Sequence, residues 1–146
     1  EQVKPVETEV IEATSQSEMA TAFEDSIPSL INRYRIDHGL PELACNRLLD
    51  QAAQIRAQEI LDCRSHDRPD GQPFYTVFSE IGYDAQSGAE NFIIASAGYY
   101  SAEEIVQAWI DSPVHRANIL DAHFTYSGIS QIRSGEQEVF VQLFAS

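Results

Sequence analysis

The chain has 146 residues, enough for one hydrophobic core and too few for two domains of ordinary size. Its hydrophobic content of 43% and charged content of 22% are those of a globular protein, and no stretch reaches the roughly 18 apolar residues of a membrane span. Nine basic against 23 acidic residues give a formal net charge of −14, which argues against nucleic acid and anionic membranes as partners.

Residues 1–17 are rich in Glu, Val, Thr, Ser and Gln. They read as a flexible acidic leader or stalk ahead of a domain over 18–146. The start at Glu1 rather than Met is consistent with an upstream signal peptide or anchor. Met19, Phe23, Ile27, Leu30, Ile31 and Tyr34 recur at helical spacing, and Pro28 imposes a kink or a fresh start near Ser26. Gly39 and Pro41 then stop the helix, and a turn leads on.

Asn46 is placed to cap a second helix, whose Leu48, Leu49, Ala52, Ala53, Arg56, Ala57 and Ile60 run to about Cys63. Its alanines predict a close approach to a neighbouring element. "SHDRPDGQPF" is turn-forming, and residues 74–81 fit a short helix or a short strand equally. "AENFIIAS" has the composition of a strand.

Ser101 and Glu104 form an S-x-x-E capping box for a third helix that contains Trp109. Ser112–Pro113 starts a short helix, "VHRANIL". Two strands, about 126–133 and 138–144, flank the hairpin turn "SGEQ". In the second, Val139, Val141 and Leu143 alternate with Phe140, Gln142 and Phe144, which predicts a sheet covered on both faces. The class is α+β, with helices packed on a mainly antiparallel sheet.

Cys45 and Cys63 stand eighteen residues apart and fit either one disulfide or two buried thiols; alone they make no zinc site. His38 and His123 suit capping or solvated roles. His66 lies in a loop before Asp67, Arg68, Pro69, Asp70 and Gly71. His115 falls at the third position of the short helix, where the helix dipole disfavours a positive imidazole. A neutral imidazole suits a metal ligand or a general base, and equally a structural bond to a carbonyl. Glu90 sits in an apolar segment and needs a His or Arg partner unless it is exposed at the strand end. H-E-x-x-H, G-x-S-x-G, phosphate-loop and dinucleotide signatures are missing.

Read in order, "LINRYRIDHGLPEL", "AAQIRAQEI", "SHDRPDG", "AENF", "VQAWIDSPVHRANIL", "YSGIS" and "VFVQLF" resemble the CAP superfamily. This is the superfamily of cysteine-rich secretory, antigen 5 and pathogenesis-related proteins, and the match is to its small bacterial SCP-like branch. The resemblance implies a three-layer α-β-α sandwich, an exported protein, and hence a compartment that permits a Cys45–Cys63 disulfide. It also implies a cavity lined by two His and two Glu. His66, Glu90 and His115 match three of them, with Ala89 and Val114 where Gly is usual or frequent. Ser112 stands where the second Glu belongs, and Asp111 is a nearby carboxylate that is expected to point away.

His66, His115 and Glu90 then form a three-ligand site for a divalent metal, Zn²⁺ ahead of Mg²⁺ or Ca²⁺, with Glu90 as ligand or as the group that orients a His. The leading expectation is a secreted or cell-surface monomer that binds an extracellular peptide, glycan or lipid, with Tyr99, Tyr100 and Tyr126 as candidate cleft walls. A second is a metal-dependent hydrolase, protease or esterase before nuclease, with Glu90 as the base. A third is a structural surface module.

Overall fold

The computed structural model describes residues 26–146; the expected leader, and Met19 and Phe23 of the expected first helix, lie outside them. Nine elements follow in order. They are α1 (Ile27–Asp37), β1 (Ala44–Cys45), α2 (Arg47–Cys63), α3 (Thr76–Glu80), β2 (Gly88–Ser96), α4 (Ala102–Asp111), α5 (Pro113–Ile119), β3 (Tyr126–Ser134) and β4 (Gln137–Ala145).

The four strands form one sheet in the order β1-β3-β4-β2. β4 pairs antiparallel with both β3 and β2, and β1 adds a parallel pair at Tyr126 and Ser127. The sheet is therefore mixed, with a two-residue strand in a segment that reads as the end of a turn. Residues 74–81 resolve as the helix α3.

Alternation along β4 creates two cores. Val139, Val141, Leu143 and Ala145 pack against Leu49, Ala52, Ala53, Ala57 and Ile60 of α2, with Val77 and Phe78 of α3. Phe140 and Phe144 face the other way, onto Ile27 and Ile31 of α1, Ile105, Val106 and Trp109 of α4, and Ile119 of α5. The result is a three-layer α-β-α sandwich, as the two apolar faces of the strand require.

The helix ends follow local chemistry. Asn46 Oδ1 accepts from the backbone N–H of Leu48 (2.9 Å) and Leu49 (3.2 Å). Pro28 sits in the first turn of α1, where its missing N–H costs nothing, and Ser26 is the N-cap. At the other end Gly39 takes φ +76°, and the N–H groups of Gly39 and Leu40 return to the carbonyls of Ile36 and Arg35, a Schellman stop. The Ser101–Glu104 capping box is formed in both directions.

The disulfide expectation is corrected. Cys45 and Cys63 are both free thiols, at opposite ends of α2. Seventeen helical residues rise about 25 Å at 1.5 Å each, far beyond the roughly 7 Å between Cα atoms that a bridge spans.

Candidate functional site

β2 is an edge strand, so its outer side lies between the two helical layers. The loop after α2 brings His66 to one sheet face, and α5 brings His115 to the other. Successive residues of β2 serve both. Glu90 points to the α2 face and binds His66; Asn91 points to the α5 face, where its Nδ2 donates to the His115 carbonyl (3.1 Å). Asn118 Nδ2 donates in turn to Asn91 Oδ1 (2.8 Å), which locks α5 to the strand.

Glu90 has a fully buried side chain. Arg56, also fully buried, donates through Nε to Oε2 (2.6 Å) and through Nη2 to Oε1 (3.1 Å). His66 Nδ1 donates to Oε1 (2.9 Å), and its half-exposed ring lies 4.7 Å from the Phe92 ring. An ionised carboxylate only accepts, so it fixes the proton of His66 on Nδ1 and leaves Nε2 outward. Glu90 thus stands behind His66 as its orienting partner.

Arg56 also shapes the loop. Its Nη2 donates to the Ser65 carbonyl (2.9 Å), and its Nη1 donates to Glu59 Oε2 (2.5 Å). Glu59 is bound from its other side by Arg68 Nη2 (2.6 Å), which reaches Glu80 of α3 as well (2.5 Å). The "DRPDG" stretch closes on itself through the Asp67–Pro73 bridge and the turn bond from the Gly71 N–H to the Arg68 carbonyl (2.8 Å).

His115 sits at the third position of α5, as its spacing from Ser112 predicts. Ser112 starts the helix, but its hydroxyl caps no backbone N–H; Oγ lies 2.9 Å from His115 Nδ1. Ser112, the position where the resemblance implies a second Glu, is therefore bonded to His115. Burial first, and the neighbouring His66 second, hold the His115 imidazole below its ordinary pKa. An NMR titration is expected to find its midpoint below the usual value of about 6.5. The unfolded chain takes the proton first as the pH falls. Stability linked to this group is thus complete above about pH 6.5 and declines below it. His115→Gln should remove that part of the slope in urea midpoints.

Arg35 is a further residue that the sequence did not mark. Fully buried on the inner face of α1, it donates through Nη1 to the carbonyls of Ile119 (2.7 Å) and Asp121 (3.0 Å). It anchors the C-terminal end of the helix that carries His115. For both Arg35 and Arg56 the available signal was an arginine inside an apolar helical stripe.

Other candidates fall elsewhere. Asp111 is exposed and accepts from Gln107 Nε2 (2.8 Å), away from the histidines. Tyr99 and Tyr100 are exposed and follow the far end of β2, about 20 Å from Glu90 at 3.3 Å per residue. Tyr126 opens β3, two strands away from β2 in the sheet. None of the three tyrosines walls the histidine site. His38 caps α1 and bonds the Tyr34 carbonyl, and exposed His123 pairs with Asp121. Among the described residues, no three His, Cys, Asp or Glu side chains are placed to hold one ion.

Residues 29–144 match the CAP family of cysteine-rich secretory proteins, and the chain belongs to that family. It is 31% identical over 125 residues to the protein YkwD of Bacillus subtilis strain 168, covering 84% of this chain and 47% of that one, so it spans about half of that relative. Among solved structures it resembles an extracellular SCP-domain protein of Bacillus anthracis (TM-score 0.70, 26% identity, 82% of this chain, 38% of the other). It also shares the fold of an outer surface protein of Borrelia burgdorferi (TM-score 0.68, 23% identity, 82% of this chain, 89% of the other). Among the described residues, no helix is long and apolar enough to cross a membrane.

Proposed function

We propose that this chain is an exported binding module, acting as a monomer, that offers two oriented imidazoles to a divalent metal and an extracellular ligand. One observation carries this reading. Each histidine has its Nδ1 held by a protein oxygen, Glu90 Oε1 for His66 and Ser112 Oγ for His115, which leaves both Nε2 atoms for a ligand. Two neutral nitrogens suit Zn²⁺ better than Mg²⁺ or Ca²⁺, which prefer oxygen. With Glu90 engaged by Arg56, such a metal would rest on His66 and His115 and fill its shell from water or ligand. Bound there it would supply a Lewis-acidic anchor for a peptide, glycan or lipid. Export is supported by the extracellular and outer-surface descriptions of the structural neighbours.

Binding is favoured over hydrolysis because the one carboxylate at the site has both oxygens bonded. Glu90 is therefore not free to serve as the base for a metal-bound water. Titration calorimetry of the full chain with ZnCl₂ should give one site, weakened at least tenfold in both His66→Ala and His115→Ala. Undiminished Zn²⁺ binding in the double variant would overturn the assignment. Zn²⁺-dependent peptide or ester cleavage lost in both single variants would restore the hydrolase.

A further inference from the structure

The hydrogen-bond phase of the sheet shows which backbone groups of β2 face outward. The Ala97 N–H donates to the Glu136 carbonyl (2.8 Å) and the Ser146 N–H to the Ser87 carbonyl (3.2 Å), one bond at each end of the β2–β4 ladder. In the β2–β4 register the pairs Ala89–Phe144, Asn91–Gln142, Ile93–Phe140 and Ala95–Glu138 share this phase, so they carry the bonds between the strands. The β3–β4 hairpin gives the same phase independently. Its two-residue turn, Gly135–Glu136, makes Ser134–Gln137 the first bonded pair and commits Val139, Val141 and Leu143 to β3. The groups of Phe140 and Gln142 are thereby left for β2.

Phe92 and Ile94 therefore direct their N–H and C=O groups away from β4. No partner for these four groups exists among the described residues. Both residues are partly exposed, and the strand runs on to the exposed Ser96. The edge "GAENFIIAS" carries one inward-pointing charge, Glu90, which Arg56 and His66 bind, but no Lys, Arg or Pro and no bulge to blunt its outer side. At its other end it enters the histidine site, where His66 packs on Phe92 and Asn91 holds α5.

We infer that this edge takes an extended peptide of another protein, added as a fifth strand along the outer side of β2. A row of alternating free donors and acceptors at strand spacing is matched by a peptide backbone and not by a sugar or an acyl chain. Its alternate side chains would lie beside Phe92 and Ile94 on the α2 face and beside Ile93 and Ala95 on the other. A net charge of −14 favours a neutral or basic sequence. The inference rests on the proposal that the histidine site binds an extracellular ligand, but it needs no metal.

The probe is a capped ten-residue peptide of alternating Val and Arg. Two further versions of equal charge carry N-methyl groups on the Val amides or on the Arg amides. Binding to the full chain in EDTA is expected, with one methylated version matching the parent and the other weakened at least tenfold. In hydrogen exchange, the Phe92 and Ile94 amides of the free chain should exchange fast while Ile93 and Ala95 are protected. The parent peptide should slow the Phe92 and Ile94 amides at least tenfold. Equal binding by all three peptides, or no added protection at Phe92 and Ile94, overturns the inference. So does protection of these amides without peptide: rising with protein concentration it assigns the edge to a second copy, and otherwise to the chain's own residues. Peptide binding without Zn²⁺ binding would leave the edge standing and remove the metal; the reverse would do the opposite.

Discussion

Arg56→Met is expected to lower stability by about 3–5 kcal/mol, the range for removing one partner of a buried ion pair. The variant strands the Glu90 carboxylate in a fully buried position, where Arg56 had bonded both oxygens. It also frees the Ser65 carbonyl and one side of Glu59. The denaturant midpoint should fall accordingly. The double variant Arg56→Met, Glu90→Gln should recover much of the loss, because no uncompensated charge remains. Neither variant should retain the Zn²⁺ affinity of the parent, since both lose the carboxylate–arginine support that aims His66. Equal stability of Arg56→Met and the parent would mean that the pair does not hold this part of the fold.

Gly128→Ala is expected to cost at least about 3 kcal/mol, the upper end for an overpacked core. A Cβ built on Gly128 of β3 would collide with the carbonyl carbon and oxygen of Leu49 and lie 2.5 Å from the Asp50 nitrogen. These are backbone atoms of α2 and cannot rotate aside. The helix would have to lift from the sheet, and the bond from the Ile129 N–H to Asp50 Oδ1 (3.0 Å) would lengthen with it. Gly82→Ala is the control. Gly82 has φ +76° but nothing within 4 Å of a built Cβ, so only the left-handed conformation is penalised, by about 1–2 kcal/mol. Urea midpoints of the two variants should differ clearly in that order.

What the sequence made legible was set by contacts close along the chain. The Asn46 cap, the Ser101–Glu104 box and the stop at Gly39 each involve residues within a few positions, so residue type and spacing suffice. The two-sided pattern of β4 needs only strand periodicity, and it led directly to the layered architecture. The alanine-rich face of α2 did announce a close approach, although nothing local named Gly128 as its partner. Glu90 was recognised as needing a cation, yet Arg56 lies thirty-four residues earlier, and only the folded sheet brings the two together. Ser112 looked like a helix cap from its position before Pro113. Its hydroxyl goes instead to an imidazole one turn on, a choice between two nearby hydrogen-bond geometries that residue order does not decide. The cysteine pairing failed for the simplest reason: a straight helix keeps its two ends apart.

The placement of β4 carries a consequence for how the molecule assembles. This strand lies between β2 and β3 and contributes side chains to both hydrophobic clusters, yet it is the last of the nine described elements. A chain emerging amino end first can form its helices early, but neither cluster can close until residues 137–145 have appeared. Until then both helical layers keep an apolar face uncovered, and the sandwich is sealed in one late step by the strand its two halves share.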